Sequence, residues 1–170
     1  MGHLNVVSSM VKVGFATIIA FISLFCSADG VASRYKGLTG PPWPKGMVVN
    51  DLTLVNPRDA NNAYTLSVAT IDKKTMLLLS RQKKQGNGSK AIWEVRGTLN
   101  VTNIPDNYEI IIGNCLVDGI MREDVVAIAA IENKPFLEKI KKTWSVDFAN
   151  EKLQYLPTKR VKCVNERFGF

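Results

Sequence analysis

From Met47 onward the chain is a succession of short runs rich in Val, Ile, Leu, Thr and Tyr, each closed by residues that turn a backbone. Runs of this length and composition, set between turn signals, build antiparallel sheet. Residues 47–55 form the first run, and the polar stretch 56–62, with Pro57 and three asparagines, is a loop. Tyr64, Leu66, Val68 and Thr70 then alternate with Thr65, Ser67, Ala69 and Ile71. Asp72-Lys73-Lys74-Thr75 closes a hairpin into residues 76–80. Residues 81–90 are polar, basic and glycine-bearing, which suits an exposed loop.

The pattern resumes over 91–102 and again over 108–117, where Ile110-Ile111-Ile112 argues for a buried strand. Asp118-Gly119 is a turn signal, and residues 125–131 read as a further strand. One segment departs from this rhythm. Phe136, Leu137, Ile140 and Trp144 recur at helical spacing, Pro135 suits a first turn, and Lys139, Lys141 and Lys142 lie mostly off the apolar face. The spacing predicts a helix over about 135–144. A hairpin over 145–156 and a short strand at Val161–Val164 complete the chain. The expected fold is α+β: a mainly antiparallel sheet of about five to seven strands, with one principal helix packed on one face.

The compartment is read from the first residues. Residues 13–25 are weakly polar to apolar, Lys12 precedes them, and small residues follow, with cleavage after Ala28 or Ala32. The apolar run is about 13 residues long, short of the roughly 20 that span a bilayer. Residues 1–32 are therefore read as a signal peptide, with Met10 an alternative start, and the protein as secreted or periplasmic. Residues 33–46 form an extended arm, because Gly37, Gly40, Pro41, Pro42, Pro44 and Gly46 sustain neither helix nor ladder. Trp43 is the arm's large apolar group and a candidate partner contact. Residues 47–170 are read as one globular domain. Without the leader two cysteines remain, Cys115 and Cys163, and in an oxidising compartment they pair.

Chemistry is bounded mainly by exclusion. The single histidine, His3, lies in the leader, so triads and zinc sites that need imidazole have no place in the exported domain. Ser80-Arg81-Gln82-Lys83 matches a Ser-x-x-Lys motif, but it leaves a strand rather than opening a helix. Residues 86–90 resemble a phosphate loop only in composition. Asp118, Glu123, Asp124 and Asp147 are the carboxylates from which a glycosidase-like pair would be drawn. No catalytic residue, metal ligand or cofactor is assigned.

The net charge is +7 and survives loss of Lys12 and Asp29 with the leader. A basic exported domain is drawn to polyanions. Arg81, Lys83, Lys84 and Lys90 form a candidate anion contact, while the lack of interleaved aromatic residues argues against nucleic acid. The expectation is a small, non-enzymatic binding or accessory protein of the cell envelope, acting through a protein or anionic-polymer surface and not inserted in the membrane after cleavage. The alternative is a hydrolase of envelope polymers using a carboxylate pair.

Overall fold

A computed structural model describes residues 33–55, 63–83 and 91–169. The predicted leader, and Lys84 and Lys90 of the predicted anion contact, lie outside these residues. Among the described residues the chain is nearly all β, and its only helical element is a single 3-10 turn, Ser33–Tyr35.

Strands β1 (Thr39–Gly40), β2 (Met47–Leu54), β3 (Tyr64–Ile71), β4 (Lys74–Lys83) and β5 (Ile92–Asn100) make the first sheet, in the order β1-β5-β4-β3-β2. Strands β6 (Tyr108–Ile112), β7 (Cys115–Val117), β8 (Ile120–Arg122), β9 (Val125–Ala130), β10 (Phe136–Leu137), β11 (Ile140–Asp147), β12 (Lys152–Leu156) and β13 (Val161–Val164) divide between two further sheets. Their orders are β12-β11-β9-β6 and β10-β13-β7-β8. Every pairing is antiparallel.

Two uninterrupted apolar runs set the layering. Met76-Leu77-Leu78-Leu79 in β4 and all six residues of β9 are buried. A strand with one wet face alternates; one without alternation needs cover on both. Leu77 and Leu79 pack with Tyr64, Leu66, Val126, Ile128 and Trp144 between the first two sheets. On the other side of β4, Met76 and Leu78 pack with Ala69, Ile71 and Val95, roofed by Tyr35, Leu38 and Trp43 of the arm. On the other side of β9, Val125 and Ala127 pack with Cys115, Val161 and Cys163 of the third sheet. The arm is also tied by backbone bonds, Gly37 N–H to Val95 O and Val95 N–H to Leu38 O, each 2.8 Å.

Turn chemistry accounts for the tight connections. Asp72 and Lys73, at φ 50° and 62°, join β3 to β4, and Asp118 and Gly119, at 53° and 82°, join β7 to β8. Two consecutive left-handed residues match the twist of a two-residue hairpin.

The expected α+β class and its principal helix are overturned. Residues 135–144 are extended: Phe136 and Leu137 pair with Val164 and Cys163 in one sheet, and from Ile140 onward the chain pairs with β9 in another. A bulge at Lys141 switches side-chain parity, so Ile140 joins the cluster around the disulfide while Trp144 joins the main core on the opposite face. A helix would have kept both on one stripe. Ile140, Thr143, Trp144 and Val146 are β-branched or aromatic, and an isolated ten-residue helix is marginal, so ladder pairing prevails. The run 108–117 also divides, because Gly113 at φ 81° breaks it into β6 and β7, which belong to different sheets.

Cys115 and Cys163 are directly opposite each other in β7 and β13 and are joined by a disulfide, with sulfurs 2.04 Å apart. Both residues are fully buried. The bond closes a loop of 48 positions. In the chain-entropy treatment such closure is worth about 4 kcal/mol. The double variant Cys115→Ser, Cys163→Ser should lose stability of that order in urea unfolding. An unchanged midpoint would mean that the layered core alone holds β7 against β13.

Candidate functional site

Among the places where the described residues combine charge with partial burial, two bear on function. One lies inside the sandwich. The bulge in β5 adds Arg96 opposite the Leu79–Ser80 step and turns Arg96 and Gly97 toward the second sheet. There the β11–β12 connection delivers Glu151, at φ 50°. Glu151 accepts from Arg96 Nε at 2.6 Å and from the Tyr64 hydroxyl at 3.0 Å, and lies 2.8 Å from an Arg81 guanidinium nitrogen. Arg96 also pairs with Glu94 at 3.1 Å. Burial works against ionisation of Glu151 most strongly, but Arg96, Tyr64 and Arg81 together outweigh it and hold its carboxyl below the usual range. Gly97 lets the hairpin approach, since a Cβ there would stand 2.8 Å from the Glu151 carbonyl oxygen. This cluster joins two layers, and its central carboxylate is engaged by three side chains. It also occupies Arg81, the first member of the predicted anion contact; Lys83 is exposed at the end of β4.

The second place is a groove of about 550 Å³ on the side of the sandwich where β2 and β6 are outermost. Its floor is apolar: Val68, Ile110 and Ile112, which border the main core, with Leu54 from β2. Its rim is charged, with Glu109, Glu123, Glu166 and Arg167. Glu109 pairs with Arg167 at 3.0 Å, and Glu166 accepts from the Asn114 side-chain amide. Gly113 N–H donates to Val125 O and Ile131 N–H to Asn107 O, each at 2.9 Å. The alternation of an antiparallel ladder then makes Glu109, Ile111 and Gly113 the bonded positions. The N–H and C=O groups of Ile110 and Ile112 therefore point away from β9, toward the groove's open edge.

The other sheet edges are blunted. β1 and β10 have two residues and β8 three; β2 carries a bulge, and β12 opens with Lys152. Short length, bulges and lysine are the usual protections against unwanted strand pairing. β6 has no bulge, no proline and three consecutive isoleucines.

The predicted carboxylates do not converge. Glu123 lines the groove, while Asp118 sits at the β7–β8 turn, 2.9 Å from Arg160. Asp124 is held by Arg122 through two bonds of 2.7 and 2.6 Å, and Asp147 accepts from both the backbone and the side chain of Asn150. The Asn150 side-chain bond, with its backbone bond next, draws the Asp147 carboxyl below its ordinary range, the reverse of what a general acid needs. The Ser-x-x-Lys match also fails geometrically: three positions apart on a strand, the fully buried Ser80 and exposed Lys83 point to opposite faces. Trp43 is half-buried, stacked on Gly40 and packed against the core beneath the arm. Among the described residues no group of three or more His, Cys, Asp or Glu is placed to hold a metal.

Sequence reasoning passed over Glu109, Glu166 and Asn114, and took Ile110–Ile112 as interior. Strand composition reports burial potential, whereas edge position depends on sheet order. Compared with known proteins, the chain matches no family model, no curated protein and no solved structure.

Because Glu151 has a depressed carboxyl pKa in the fold, its stabilising effect is complete above the unfolded value, about 4.3, and is lost as pH falls through the lower folded value. Glu151→Gln should cost about 1–3 kcal/mol at pH 7, by loss of charge-assisted bonds. The gap between the urea midpoints of the two proteins should narrow as pH falls below about 4.3; a constant gap would assign the effect to shape rather than charge. Gly97→Ala should destabilise by about 1–3 kcal/mol through overpacking, read in the same titration.

Proposed function

We propose that this is an exported, non-enzymatic binding or accessory protein of the cell envelope, and that it holds a partner polypeptide as an extended strand along β6. The observation that carries the reading is the open edge of β6 beside a core-lined groove. Four outward backbone groups, on Ile110 and Ile112, stand ready to pair. Strand addition uses main-chain bonds for affinity and side-chain contacts for selectivity. The groove supplies both.

Export rests on the leader-like residues 1–32, and the disulfide accords with an oxidising compartment. Among the described residues no helix is long and apolar enough to cross a membrane. The hydrolase alternative required two of Asp118, Glu123, Asp124 and Asp147 in one cleft, and only Glu123 lines this one. A protein surface is favoured over an anionic polymer, because the groove's rim carries three carboxylates against one guanidinium.

A photo-crosslinking residue at Leu54, inside the groove, should trap a partner in cells. The same residue at Tyr155, exposed on β12, should not. Ile110→Pro removes an outward donor while sparing the ladder to β9, so the Leu54 adduct should weaken roughly tenfold while the circular dichroism spectrum stays strand-like. Equal adducts at both positions, or an adduct indifferent to Ile110→Pro in a folded protein, would defeat the reading.

A further inference from the structure

Resting on the reading of β6 as a strand-binding edge, we infer that its partner segment is basic and alternating: an extended stretch of apolar residues interleaved with Lys or Arg. Strand geometry sets the alternation. A peptide paired with Ile110 and Ile112 sends every second side chain toward the face on which these two pack, where Val68 and the main core border the groove. Apolar residues fit there. The intervening side chains point to the opposite face of the second sheet, the side of Glu109.

Charge decides what those intervening residues are. The protein carries +7 overall, yet the groove has the opposite sign. Arg167 is already committed to Glu109 at 3.0 Å. Glu123 and Glu166 have no cation partner among the described residues, so a bound strand meets two uncompensated carboxylates at the rim. Acidic side chains there would be repelled, and lysine or arginine would complete the rim. The same charges disfavour a second copy of this chain. In a symmetric β6-to-β6 pairing the added strand is itself β6, whose side chains on that face are Glu109 and Ile111, so it brings no cation of its own to Glu123 or Glu166. The net positive charge acts at longer range and is screened beyond about 8 Å at physiological salt.

The test uses the full-length protein and two fluorescent peptides of about eight residues, one alternating Val with Lys and the other Val with Glu, long enough to run past both ends of β6. Anisotropy measures affinity, and amide hydrogen exchange at Ile110 and Ile112 reports strand addition. The Val-Lys peptide should bind about tenfold or more tighter than the Val-Glu peptide and slow exchange at both amides. In the double variant Glu123→Gln, Glu166→Gln the two affinities should approach each other while the protection persists.

If both peptides bind equally and protect both amides, strand addition stands and the basic preference is overturned. If neither slows exchange at Ile110 and Ile112, the strand-binding reading falls with it. If those amides are protected without peptide, in a dimer that grows with concentration, the occupant is a second copy and the inference fails.

Discussion

Among the described residues, strands β4 and β9 have no face that tolerates water. In β4 and β9 the apolar residues are consecutive rather than alternating, so each must be sandwiched. Setting β4 against β9 covers one face of each and generates the main core, with Leu66, Leu77, Leu79, Val126, Ile128 and Trp144 in contact. The remaining faces then require two further covers. The arm supplies one through Tyr35, Leu38 and Trp43, and the disulfide-bearing sheet supplies the other through Val161, Cys115 and Cys163. At roughly 25 cal/mol per Å² of apolar surface removed from water, leaving either outer face bare would cost a small domain much of its net stability.

Specific interactions fix how these layers sit. The Arg96 bulge, Glu151 and Gly97 form one device: the bulge aims the guanidinium, the left-handed Glu151 presents the carboxylate, and the missing Cβ at Gly97 allows the approach. Such a half-buried network gives up hydration, and it repays this by orientation more than by raw energy. In the third sheet, the disulfide makes the pairing of β7 with β13 covalent. The open edge of β6 lies on a framework that these links hold, which favours a preformed site over one assembled on binding.

Edges govern the functional reading. A sheet edge is a row of unpaired backbone groups, and this fold blunts its other edges by brevity, a bulge or a lysine. The exception at β6 adjoins a groove whose sign opposes that of the protein as a whole. An unprotected edge without a partner invites aggregation; with one it is a recognition element.

Local sequence determined a great deal. The β-branched runs placed β2 to β7, β9, β12 and β13 but not β1, β8, β10 or the first half of β11; Asp118-Gly119 and the residues at Asp72 placed the tight turns, and two cysteines placed the disulfide. These are properties of a few adjacent residues, or of a count, and need no knowledge of the neighbours. The helix expected over 135–144 failed because Phe136, Leu137, Ile140 and Trp144 satisfy a helical period while serving two different sheets. The bulge that sends Ile140 and Trp144 to opposite faces arises only when β11 pairs with β9. The candidate site was equally illegible. Ile110-Ile111-Ile112 reads the same in a central strand and in an outermost one, and Glu109, Glu123 and Glu166 lie far apart in the chain. Among the described residues, sheet order alone left β6 without a second neighbour, because pairing between distant segments is decided by which faces must be buried together.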